Sequence, residues 1–203
     1  MKRQFLASFL LAVVALLGAN AVRAEEASTV VKDTTAAVMD RVKNDKDALR
    51  ANPAKMFALV SDMIFPHFDF EVMSKFVVGG PWASTEAAKQ QVFIGEFRRL
   101  LVRTYATALL EYSDQTIEYP ASEPTNNPKT AIVRQNVNQS VGKVLPGLYR
   151  LHDKSGEWKV YDVEVDGISL VKTFKSAFAQ TIAEGGLDRL IEDLKTKNKD
   201  LGA

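Results

Sequence analysis

Two histidines, one serine after a strand and one pair of strand carboxylates are the residues of this chain whose types and spacing could do chemistry. His67 and His152 could each act as a general base. Neither stands at metal-ligand spacing from a second histidine, and the sequence marks no carboxylate that would orient either ring. A zinc site built on imidazoles is therefore not expected. His67 reads as a surface or packing residue, and His152, alternating with Tyr149 and Leu151, reads as facing solvent. Ser169 lies in Gly167-Ile168-Ser169-Leu170-Val171, which begins like a nucleophile elbow but carries valine where the second glycine belongs. Its expected role is a helix cap. Asp162 and Glu164 read as surface charge rather than as an acid-base pair. Gly79-Gly80-Pro81 lacks the lysine and hydroxyl of a phosphate-cradling loop, and Asn138-Gln139-Ser140 matches a glycosylation acceptor that is common by chance.

The element that must position most of these groups is the run from Gly156 to Val171. It reads as a long alternating strand that bends at Gly167 into an apolar helix. Strict alternation places Trp158, Val160, Asp162 and Glu164 on one face and Tyr161, Val163 and Val165 on the other, and the second set is expected to face the interior. Val171, Phe174 and Phe178 continue the apolar surface at helical spacing. Strand and helix should share one hydrophobic space.

At the start of the chain, Lys2 and Arg3 precede an apolar run from Phe5 to Leu17, followed by Val22-Arg23-Ala24. This pattern reads as a secretory signal peptide over residues 1–24, cut after Ala24, because the run is shorter than the roughly 20 residues that span a bilayer. Residues 25–203 then form one domain in an exported, soluble protein. The chain has no cysteine, which excludes disulfides, thiol catalysis and cysteine metal sites. Removing Lys2, Arg3 and Arg23 leaves 23 basic residues against 25 acidic ones, a net charge of −2. Nucleic acid is not indicated as a partner.

Helices are expected over Thr29–Arg50, from Asn52-Pro53 to about Pro66, and from Ser84 or Thr85 to about Glu111. Strands are expected at Gln115–Tyr119, Thr130–Asn138, Leu148–Asp153 and Trp158–Asp166, separated by turns such as Ser122–Pro128. Two closing helices should meet at Gly185-Gly186. The order of helices, sheet and helices is an α+β layout, with an antiparallel sheet of about four strands.

Eleven phenylalanines fall mostly on the expected inner faces, where they can fill a core or line a cavity. Phe68-Asp69-Phe70 through Val78-Gly79, then Trp82, Phe93 through Ala106, Trp158 through Val171, and Gly185 through Leu194 resemble the MlaC family of periplasmic lipid-binding proteins, also called toluene-tolerance auxiliary proteins. The resemblance implies a twisted antiparallel sheet with helices, similar to the nuclear-transport-factor superfamily. It implies a non-enzymatic carrier that holds phospholipid as cargo by its acyl chains and needs no cofactor. The carrier would shuttle between an outer-membrane MlaA–porin complex and an inner-membrane ABC transporter complex with an MlaD-type ring protein, maintaining outer-membrane lipid asymmetry.

The lining expected of such a carrier comprises Phe70, Phe76, Phe93, Phe97, Leu101 and Tyr105 from the first half of the chain. Tyr161, Val163, Val165, Ile168, Val171, Phe174 and Phe178 come from the strand and helix after it. Lys172, Lys175, Arg98, Arg99 and Arg103 read mainly as solvated faces that could also meet phosphate or an acidic partner. Two alternatives stay open. One is an isomerase-like enzyme on the same scaffold, with Asp69 or Asp162 as base in an apolar site, and the other is a binder of a single-chain lipid or isoprenoid. A carboxylate facing the cavity would favour the enzyme.

Overall fold

Two helices of the first half start where the sequence supplies a side-chain partner for their free amides. The computed structural model describes residues 2–111, 115–121, 125–139 and 142–199, with residues 2–22 described by their backbone alone. The turn at 122–124 and Ser140 of the acceptor triplet lie outside the described residues. Helix α1 (Lys2–Asn44) is followed by the short α2 (Lys46–Ala51), so the helix expected over Thr29–Arg50 is divided near Asp45 and continues upstream of Thr29. Asn52 accepts from the amides of Ala54 and Lys55 to open α3 (Pro53–Met63), with proline at the first helical position. Asp69 accepts from the Val72 amide to open α4 (Phe70–Val78), and α5 covers Ala87–Glu111.

Strands β1 (Thr116–Glu118), β2 (Thr130–Asn138), β3 (Val144–Lys154), β4 (Glu157–Val165) and β5 (Ile168–Ser169) form one antiparallel sheet in chain order. The layout is α+β, with helices packed against the sheet. β3 begins four residues before the expected Leu148, and β5 adds a fifth strand. The long closing helix α6 (Leu170–Asn198) bends at Gly186, whose φ of 67° and ψ of −167° suit glycine. The two helices expected here are therefore joined through that residue.

The register between β3 and β4 changes the expected facing of the longest strand. Leu151 pairs with Val160 and Arg150 with Asp162, so Tyr161 is an extra residue in a β-bulge. Trp158 and Val160 before the bulge and Val163 and Val165 after it lie on one sheet face. Strict alternation had separated these pairs. Trp158 and Val160 are buried with Ala27, Val31, Ala131, Val133 and Leu151, and Val163 is packed against this cluster. Tyr161 instead packs beside the helical core on the other side.

Asp162 is also corrected by the structure. It is buried and accepts from Ser169 Oγ at 2.7 Å and from the Val171 amide at 3.1 Å. Ser169 Oγ in turn accepts from the Lys172 amide at 3.2 Å, which is the capping role expected of it. One carboxylate thus fixes the start of α6 to the sheet. Replacement of Asp162 by Ala should cost about 2 kcal/mol, because two buried donors lose their acceptor. Ser169→Ala should cost about 1 kcal/mol through the cap. Urea unfolding of both variants checks this ranking.

Candidate ligand-binding cavity

Between α1, α5 and the face of the sheet that carries Val163 lies a cavity of about 660 Å³. Helix α1 contributes Val30, Val31, Thr34, Thr35, Val38 and Met39, and α5 contributes Leu101, Val102, Tyr105, Ala106, Ala108 and Leu109. The sheet supplies Gln135, Val137, Leu145, Tyr149, Val160 and Val163. Val165, Ile168, Leu170 and Thr173 continue the wall around the β4–β5 turn into α6. Ile168 is 66% exposed, and Tyr105 and Val165 are also exposed, so these residues stand at the rim. Phe65, Phe68 and Phe70 form the aromatic part of the wall, with their rings in edge or stacked contact.

Of the residues expected to line a cavity, Phe70, Leu101, Tyr105, Val163, Val165 and Ile168 are on this surface. The others lie elsewhere. Phe93 and Phe97 are fully buried and stack at 5.7 Å, and Phe97 meets the ring of Phe174 edge-on at 5.3 Å. Phe178 and Val171 belong to the same solid core between α4, α5 and α6. Their helical stripe faces other helices, not the hollow side of the sheet. Tyr161 is turned away by the bulge and stands beside the half-exposed Phe76 at 6.2 Å.

No carboxylate, lysine or arginine is among the described residues that line the cavity. Asp69 is buried outside it, where its amide donates to the Val160 carbonyl at 2.8 Å. His152 Nε2 lies 3.0 Å from Asp69 Oδ2 and Lys154 Nζ lies 2.9 Å from the same atom. His152 is therefore part-buried and paired, a correction to its expected place in solvent. Burial pushes the Asp69 carboxyl upward, but hydrogen bonds from Lys154 and the Val72 amide, with the charges of Lys154 and His152, hold it below its ordinary value. Both candidate bases, Asp69 and Asp162, serve as structural acceptors outside the cavity. His67 does line it, with its basicity lowered by burial and by the nearby Lys159 charge, against an opposing effect of Glu157.

Behind Phe65, Phe68 and Phe70, a second and more polar groove of about 600 Å³ contains Asp69, Arg98 and Lys154. The Arg98 guanidinium lies 4.5 Å from the Phe70 ring centre and 5.5 Å from that of Phe65, so this arginine is part of the aromatic packing. Among the described residues, no group of three His, Cys, Asp or Glu is placed to hold a metal ion. No described helix is long and apolar enough to cross a membrane.

The sequence model described as MlaC protein matches residues 32–196. The chain belongs to the MlaC family. It is 31% identical over 186 residues to the toluene tolerance protein ttg2D of Pseudomonas putida, covering 90% of this chain and 86% of that protein. It is 27% identical over 157 residues to the intermembrane phospholipid transport system binding protein MlaC of Haemophilus influenzae, covering 76% and 73%. The fold is similar to that of the phospholipid-binding protein from Ralstonia solanacearum, solved in complex with a phospholipid. The TM-score is 0.79 at 32% identity, covering 87% of this chain and 98% of that one.

The lining residues that the sequence left unmarked come chiefly from α1, α5 and β3, with Gln135 and Val137 from β2. Gln135 could have been placed from the alternation of Ala131, Val133, Gln135 and Val137, whereas Thr34 and Thr35 carry no apolar signal. The Asp69 cluster leads to a pH dependence with a definite sign. Its folded carboxyl is depressed, so its stabilisation is complete above the unfolded value of about 3.9 and is lost as pH falls through the folded value. Thermal unfolding of the wild type should weaken below about pH 4, and Asp69→Asn should be less stable at neutral pH with a smaller acid slope. Equal slopes for the two proteins would contradict this role.

Proposed function

We propose that this chain is a periplasmic, non-enzymatic carrier that binds phospholipid by its acyl chains in the apolar cavity. The observation that carries the reading is a large cavity with no carboxylate among its described lining residues, in a fold similar to a protein solved with phospholipid. The carboxylates weighed as an isomerase's base, Asp69 and Asp162, are not in that space, and His67, which is, has no carboxylate among the described lining residues to orient it. Phe70, Leu101, Tyr105, Val163, Val165 and Ile168 are the proposed acyl-chain contacts.

Moving about thirty methylenes of two chains from water into an apolar site is favourable by roughly 24 kcal/mol. A bilayer offers the same kind of environment. The carrier needs only to match the membrane, and net direction comes from its partners. Those partners are an outer-membrane MlaA–porin complex and an inner-membrane ABC transporter complex with an MlaD-type ring protein, and the exchange maintains outer-membrane lipid asymmetry. Export uses residues 1–24 as a signal peptide. A cut after Ala24 keeps Ala27 and Val31, which pack on the sheet, and removes Arg23, which pairs with Asp153.

Filling the cavity should separate binding from folding. Val163→Trp is expected to reduce co-purified phospholipid about tenfold, equivalent to ~1.4 kcal/mol, with the thermal midpoint little changed. Native mass spectrometry before and after solvent extraction reads the bound lipid, and full occupancy in the variant would remove Val163 from the site. Intact mass of the exported protein should correspond to a chain beginning at Glu25. A mass retaining residues 1–24 would exclude cleavage there.

A further inference from the structure

We propose that Gln135 and Tyr149 form a carbonyl subsite within the cavity, which hydrogen-bonds an acyl ester of the bound lipid. This assignment rests on the carrier reading and adds to it the linkage chemistry of the cargo. Gln135 is 8% exposed and lines the cavity, and its Nε2 donates to no described residue. Its Oε1 accepts from Tyr149 Oη at 3.3 Å, an arrangement that orients the amide and leaves its nitrogen for a ligand. Burial pushes the Tyr149 phenol up to about 12, so it remains a donor at neutral pH. Thr35 on α1 lines the same cavity.

The position suits an ester. Gln135 pairs across the sheet with Gly147, and Gly147 pairs with the exposed rim residue Val165. One strand pair further inside, roughly 7 Å away, lie Val133, Tyr149 and Val163. Gly147 has no side chain to cover Gln135, and even an added Cβ would make ordinary contacts, with the Gln135 backbone oxygen at 3.5 Å, its Cβ at 3.8 Å and the Glu164 backbone oxygen at 3.9 Å. A lipid whose headgroup stays at the rim carries its ester carbonyls a short way inside. An ester carbonyl only accepts hydrogen bonds, and it loses water on entering an apolar cavity, so a free amide donor favours it. A free carboxylate is less well served, because no described lining residue is a lysine or arginine.

The test offers delipidated protein vesicles containing equal amounts of diacyl and dialkyl phosphatidylcholine of matched chain length, with native mass spectrometry counting each bound lipid. The wild type should load the ester lipid about tenfold over the ether lipid, a difference of ~1.4 kcal/mol. Gln135→Met should bring the ratio to near unity. A merely structural role for the pair would not move this ratio. Equal loading by the wild type, or a preference that persists in the variant, would overturn the subsite. Loading of neither lipid by the wild type would overturn the carrier reading itself, and the subsite with it. Should Gln135→Met fail to fold, Tyr149→Phe removes only the orienting hydroxyl and should lower the preference several-fold, with an unchanged ratio again overturning the assignment.

Discussion

The bulge at Tyr161 is the constraint on which the arrangement of the two sides of the sheet depends. One extra residue in β4 shifts the phase of the strand, so Val160 and Val163 share a face although three positions separate them. The cavity side consequently receives Val160, Val163 and Val165 in succession. Tyr161 and Asp162 are left for the helical side, where Asp162 anchors α6. Without the extra residue, the strand could not present an apolar wall to one layer and a capping carboxylate to the other at these positions. Next to the bulge, the backbone of Phe68 and Asp69 joins the free side of β4 at Val160. The aromatic wall is thereby tied to the sheet at the place where the strand changes phase.

Much of the fold was legible where a residue type has a local physical reason. Asn52-Pro53, Ser169 and Gly186 marked a helix start, a cap and a bend because each satisfies a backbone requirement at its own position. Thr130–Asn138 was read as a strand with the bounds found in the structure. The bulge was missed because Tyr161, next to Val160, passes for an inward residue of the Val163-Val165 set, and only pairing with β3 shows that it is an extra residue. The phenylalanine stripes were ambiguous for a different reason. Helical spacing shows that Phe93, Phe97, Phe174 and Phe178 point inward, but it cannot tell a face that meets other rings from one that borders a hollow. The wall supplied by α1 was missed because its cavity face mixes valines with Thr34 and Thr35.

The charged groups weighed as catalytic bases are occupied in construction. Asp69 joins α4 to β3 through His152 and Lys154, and Asp162 joins α6 to β4. Burying such carboxylates is tolerable because each accepts several hydrogen bonds. Their positions leave the cavity wall to aliphatic and aromatic side chains, with a few neutral polar groups. The solid core among α4, α5 and α6 can then hold its shape beside a space that its own side chains do not fill.

The sheet ends in β1, of three residues, and β5, of two. Edge strands this short offer a poor template for another chain to extend the sheet. This matters for a molecule whose rim displays Ile168 and Val165 to water. Greasy contacts between two copies would find little backbone on which to build a ladder, which disfavours runaway polymerisation.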